Sequence, residues 1–167
     1  MDRLRLLNRT LQVGLVGILA FGILARNVSV VVNALAGFGV TLVPAVLARD
    51  RELLLDPRFT LVVSAAVFLH SIGMVGLYDR VWWWDHLTHT FSATVVAVVA
   101  YTVVWAVDVH RDDIHLPPPF TGLFVLAFVL AMGVLWEAAE FLARVVAIAL
   151  GQQPVLILYG LEDSMFD

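Results

Sequence analysis

From Leu6 to Ala48 the chain carries only two charges, Arg9 and Arg26, and apolar stretches of similar span length return three more times before residue 151. About twenty apolar residues are what a helix needs to cross the hydrocarbon core of a bilayer. Inside that core every backbone N–H and C=O must be satisfied within the structure, and a helix does so within one segment. The hydrophobic set makes up 61% of the 167 residues and charged residues only 14%. A soluble domain carries about a quarter charged residues, so this chain has too little polar surface to coat itself in water. The expected fold class is therefore all-α, a polytopic transmembrane helix bundle in a single domain covering residues 1–167.

The expected spans are about 6–25, 28–48, 59–77, 85–107 and 120–150. The opening MDRLRLLNRT has the charged-then-apolar order of a signal peptide, but its apolar run flows into the next without a small-x-small cleavage site, so it reads as a retained first span. One helix through both of the first two stretches would be far too long to cross once, which predicts a tight hairpin at Arg26-Asn27. RDRELLLDPR (49–58) reads as a charged loop. HRDDIHLPPP (110–119) reads as another, because three consecutive prolines remove backbone donors and force extended geometry. With the amino terminus inside, the inner segments hold Arg3, Arg5, Arg9, Arg49, Arg51, Arg58 and Arg111, and the outer ones hold Arg26 and Arg80. The positive-inside rule then predicts a cytoplasmic amino terminus in a cell membrane.

Several chemistries are absent from the composition. There is no cysteine, hence no disulfide or thiolate, and no lysine, hence no Schiff-base or P-loop lysine. A net charge of −4 argues against a nucleic-acid partner, and no nucleotide or flavin signal is present. The expected partner is the lipid bilayer. The Trp run in YDRVWWWDH (78–86) reads first as an interfacial anchor, and the glycines within the spans as ordinary close helix packing.

The informative residues are those that hydrocarbon does not tolerate: His70 in the third span, Asp85, His86 and His89 in the fourth, and Glu137, Glu140 and Arg144 in the fifth. Each charge at mid-bilayer costs about 2.5–3.5 kcal/mol on insertion scales, so each needs a partner or a wet cavity. Asp85, His86 and His89 share one helical face by their three- and four-residue spacing, and Gly133, Glu137, Glu140 and Arg144 share another. The expected topology puts both stripes, His70, and the pair Asp163 and Asp167 in the outer half of the molecule. Two imidazoles three apart with carboxylates from other helices can hold one divalent metal ion. Plainer readings stand beside this one. Glu140 and Arg144 suit an i,i+4 ion pair, Asp85 suits a helix cap, and His70 suits hydrogen-bonded packing.

The strings WWWDHLTHTFSA, LWEAAEF and YGLEDSMFD, in this order at the ends of successive apolar spans, resemble the uncharacterised YjdF-type family of multi-pass membrane proteins over about residues 59–167. The resemblance carries over Asp85, His86, His89, Glu137, Glu140, Asp163 and Asp167. It implies that the Asp-rich element opens one more hydrophobic helix, a sixth span after Asp167, and it transfers no activity. The leading expectation is a metal-dependent hydrolase or transferase acting on a lipid or lipid-linked substrate. In it His86, His89 and Glu137 hold the cation, Asp163 or Asp167 completes its shell, and Glu140 or Asp85 orients or deprotonates a bound water. An ion- or proton-coupled transporter and a non-catalytic membrane scaffold are the alternatives.

Overall fold

A computed structural model describes residues 2–47, 56–111 and 113–151. These described residues form five long helices, each long and apolar enough to cross a membrane, and no strand. They are α1 (Asp2–Leu24), α2 (Val28–Leu47), α3 (Pro57–Arg80), α4 (Trp84–His110) and α5 (Pro118–Ala149). Helices α1, α2 and α3 pack pairwise into a three-helix core; α4 and α5 form a hairpin, of which α4 leans on α3. Alternating crossings put the start of α1, the end of α2, the start of α3, the end of α4 and the start of α5 on one face, called here the amino-terminal face.

Local chemistry explains the ends. Between α1 and α2 the chain turns in two residues: Asn27 N–H donates to Gly22 O at 2.9 Å and Arg26 N–H to Ile23 O at 3.1 Å, while Arg26 adopts φ 53°. This pairing is a Schellman motif with arginine at the left-handed position. Asn27 then caps α2, its Oδ1 accepting from Val30 N–H at 3.1 Å. Asp56 accepts from Arg58 N–H at 2.7 Å, and Pro57 opens α3 at a position where no N–H is needed. Beyond α4, Arg111 grips Asp113 through two bonds of 2.9 Å and Asp108 accepts from Leu116 N–H at 2.6 Å. The guanidinium holds the exposed Asp113 carboxyl below its ordinary range, so this contact is present above that range and is lost as the pH falls.

Leu15, Ile18, Val30, Ala34, Met74 and Tyr78 are buried where α1, α2 and α3 meet, whereas α5 turns most of its apolar side chains outward. Lipid is as apolar as leucine, so association relies on close packing and polar contacts rather than on apolar burial. Small residues permit the approach: a Cβ on Gly37 would stand 3.1 Å from Ser71 Oγ and 3.4 Å from Val67 Cβ.

Near its far end α3 departs from regular geometry. Gly73–Leu77 form a π turn, with Tyr78 N–H donating to Gly73 O, and Gly76 sits at φ 117°, a conformation open to glycine and strained for other residues. Tyr78 follows directly on this break, and its ring is buried against the core.

Left-handed arginine costs roughly 1 kcal/mol relative to glycine. Arg26→Gly is therefore expected to raise resistance to unfolding in detergent by about that amount, and Arg26→Val to lower it. Denaturant titration followed by circular dichroism checks both directions.

Candidate functional site

At the end of the bundle opposite the amino-terminal face, the kink in α3 assembles a hydrogen-bonded series across three helices. Asn33 on α2 donates through Nδ2 to Ser29 O at 2.9 Å, which leaves Oδ1 facing His70 Nε2 at 3.1 Å. His70 Nδ1 lies 2.9 Å from the Tyr78 hydroxyl, which also reaches Thr88 Oγ1 on α4 at 3.2 Å. Thr88 in turn donates to Asp85 O at 2.8 Å. Each ring nitrogen of His70 thus has a polar neighbour. Nε2 carries a proton toward the acceptor Oδ1, and Nδ1 exchanges with a hydroxyl that can donate or accept.

Around this series lies a small cavity of about 10 Å³, lined by His70, Met74, Tyr78, Asp85, His89 and Glu140. That volume is close to what one water occupies. Asp85 Oδ1 and His89 Nε2 are 3.6 Å apart across one turn of α4. Glu140 is 6% exposed; α5 delivers it one turn beyond Trp136, whose ring stands edge-on to His70 at 6.3 Å between centroids. The Trp84 indole closes the near side by donating to Leu69 O at 3.3 Å.

On the other side of His89 a groove of about 410 Å³ runs between α4 and α5, lined by His86, His89, Thr90, Ala93, Thr94, Ala97 and Val129. Its head holds two imidazoles and a hydroxyl, and its floor is mostly small and apolar. His89 belongs to both spaces. Among the described residues it alone lines both.

The expected stripes do meet, but with a different membership. Asp85, His89 and Glu140 come together, and His70 joins them. His86, expected beside His89 as a ligand, is exposed, and its ring packs against Trp82 at 6.5 Å between centroids. Glu137 is half-buried and lines neither space. Three residues on a helix differ by about 60° in direction, enough to aim His89 inward and His86 outward. Asp163 and Asp167, and with them any sixth span, lie outside the described residues. Among the described residues no three of His, Asp and Glu converge on a metal-ion position. Trp82 is largely exposed, as an anchor requires, whereas Trp84 turns into the bundle.

Asn33, Tyr78 and Thr88 complete the site and were not expected in it. A lone amide in an otherwise apolar span was the available signal for Asn33. Tyr78 sat in an aromatic run whose interfacial reading concealed it, and Thr88 is of a type common in membrane helices.

Five membrane-crossing helices around a buried polar site define a multi-pass integral membrane protein. A family profile described as "Predicted membrane protein (DUF2238)" matches residues 7–167, and the chain belongs to that family, whose function is unknown. The family likeness read from the three sequence strings holds at this level. Comparison with curated proteins and with solved structures found no match.

Gly73 makes room for the tyrosine: a Cβ there would overlap the Tyr78 ring and stand 2.8 Å from Trp84 Nε1. Gly73→Ala is expected to displace Tyr78 from His70 and Thr88 and to destabilise the protein by about 1–3 kcal/mol. Near-ultraviolet circular dichroism should lose aromatic signal while helix content is kept.

Proposed function

We propose that this protein is a membrane-embedded hydrolase or transferase whose substrate is a lipid or lipid-linked molecule, with His89 as the proton-transferring group. The observation that carries the reading is the double membership of His89, which faces the lateral groove on one side and the water-sized polar cavity on the other. From His86 to Ala97 the groove follows α4 for about 16 Å, roughly half of a hydrocarbon core about 30 Å thick. That is the depth of one leaflet. A polar head over an apolar floor, open sideways to the bilayer, suits an amphiphile whose scissile bond rests at His86, His89 and Thr90.

The chemistry follows from the neighbours. Asp85, 3.6 Å from Nε2, orients the imidazole. In hydrolysis, a water at the head of the groove loses a proton to His89 as its oxygen attacks the ester carbon or phosphorus, and His89 returns the proton to the departing alcohol oxygen. In transfer, an acceptor hydroxyl replaces the water. Glu140 faces the cavity behind His89 together with Asp85 and supports the imidazole from that side. In a metal-assisted variant, Asp163 and Asp167 have the residue types that would hold a divalent cation with His89 as a ligand, and Asp85 or Glu140 in place of His89 would take the proton of the water. Equimolar divalent ion in the purified protein that His89→Ala loses selects the metal-assisted route; its absence under metal-replete conditions selects the metal-free one.

The test uses vesicles of total membrane lipid with the purified protein, followed by mass spectrometry of the lipids. Wild type is expected to convert one lipid class, and His89→Ala to slow that conversion about 100-fold or more, the usual worth of a general acid–base group. Ala93→Trp, which fills the groove, is expected to block conversion while leaving helix content intact. Lipid profiles indistinguishable between wild type and His89→Ala would sink the enzyme reading. Substrate uptake into sealed vesicles without lipid turnover would select a carrier instead.

A further inference from the structure

A threonine in a helix has a local partner for its hydroxyl, the carbonyl three or four residues back. The chain holds eight threonines, all among the described residues. Seven of them donate to such a carbonyl, at 2.7–3.5 Å. Thr90 alone does not, although it lies within α4 with the His86 carbonyl four residues behind it. Exposure does not account for the difference. Thr10, Thr94 and Thr102 are exposed as Thr90 is, yet they donate to the carbonyl four back at 3.0, 2.8 and 2.7 Å. Thr90 stands about 9 Å along α4 from its first residue, Trp84, and lines the lateral groove beside His86 and His89. A hydroxyl turned to hydrocarbon without a bond is costly.

The head of the groove is rich in donors and poor in acceptors. Each imidazole can present an N–H and Thr90 an O–H. No carboxylate is among the described residues that line it; Asp85 and Glu140 face the separate cavity behind His89. An ammonium head would meet no anionic oxygen there, whereas an anionic head meets proton donors. His86 and Thr90, four residues apart, lie on one face of α4. A phosphate has non-bridging oxygens for both of them at once, and a carboxylic ester has a single carbonyl oxygen. Polarity stops one turn further along. The Thr94 proton is already given to Thr90 O at 2.8 Å, and Ala93, Ala97 and Val129 complete an apolar floor.

We propose that the Thr90 hydroxyl holds a non-bridging oxygen of a phosphate-bearing lipid, with His86 as the second donor. The inference rests on the groove being a substrate site and narrows its ligand to phosphate esters, so that phosphorus rather than an ester carbon stands beside His89. Thr90 binds, and proton transfer stays with His89. The ligand oxygen takes the bond that Thr90, unlike the other seven threonines, does not close on its own helix. The lipid chain follows α4 past Ala93 and Ala97, where small side chains leave the floor open.

The experiment titrates the full-length protein, in maltoside micelles that contain no phosphate, with dodecylphosphonate, and calorimetry reads the affinity. This probe has an anionic tetrahedral head and one chain, and no ester to cleave. Thr90→Val keeps the shape and removes the hydroxyl; it is expected to weaken binding about tenfold, the worth of one hydrogen bond to a charged oxygen. Thr90→Ser keeps the hydroxyl and is expected to bind as wild type does. Thr94→Val makes the same change one turn away, at a hydroxyl already bonded, and is expected to leave binding unchanged. Should Thr90→Val not be recovered as folded protein, Thr90→Ala carries the same expectation. Inorganic phosphate, which leaves the apolar floor uncovered, is expected to bind about tenfold more weakly or worse, and methyl dodecanoate, with its single carbonyl oxygen, also more weakly than the phosphonate. Absence of dodecylphosphonate binding, Thr90→Val equal to wild type, Thr94→Val as damaging as Thr90→Val, or either comparison probe binding as tightly would each overturn the proposal. Thr90-dependent binding in a protein that turns over no lipid supports it and overturns the hydrolase or transferase reading alone.

Discussion

The contact on which the rest of the polar architecture depends is the Tyr78 hydroxyl between His70 and Thr88, at 2.9 and 3.2 Å. It joins the end of α3 to α4 and, through His70 and Asn33, to α2. In hydrocarbon a polar group has no solvent to fall back on, so its partners must come from the protein. The tyrosine follows directly on the π turn at Gly73–Leu77, where α3 kinks at Gly76. Gly73, without a side chain, then leaves the volume that the ring fills. A backbone irregularity, a missing Cβ and a hydrogen-bonded series are in this sense one construction.

That construction also divides the bundle into parts with different roles. The three-helix core is held by close packing through small residues and by polar bonds such as Gln12 to Thr41. The α4–α5 hairpin touches the core chiefly through α4, and much of its apolar surface faces outward. The site lies at the seam between the two. A seam of this kind can bring side chains from three helices to one cavity while leaving a groove open to the bilayer, and His89 stands where cavity and groove meet. Its neighbour Asp85 opens α4, so the pair belongs to the first turns of a helix at the end of the membrane where polar groups are cheapest to keep.

Most of the fold was legible in the residues. Apolar runs of span length, a two-residue polar break at Arg26-Asn27 and the proline-rich loop specified five helices in their observed order. About half of the site was legible as well. Asp85, His89 and Glu140 were expected from the cost of placing ionisable groups in lipid, and they converge. His86 and Glu137 satisfied the same rule of spacing, yet His86 lines the groove and not the cavity and Glu137 lines neither, because a helical stripe about 60° wide still contains an inward and an outward edge. Tyr78 was hidden in an aromatic run, and Asn33 lay in a span with no charge to draw attention to it.

The sequence by itself therefore determined solvent, helix count and the supply of titratable groups, since each follows from the price of exposing backbone or charge to hydrocarbon, a property of single segments. Tertiary structure alone decided which of those groups face one another. That choice depends on the rotation of each helix about its axis and on the turn of α3 at Gly76, and both are settled by side chains from other helices rather than by any one segment. Membership of the "Predicted membrane protein (DUF2238)" family agrees with the first kind of information. The cavity shared by His70, Tyr78, Asp85, His89 and Glu140 belongs to the second.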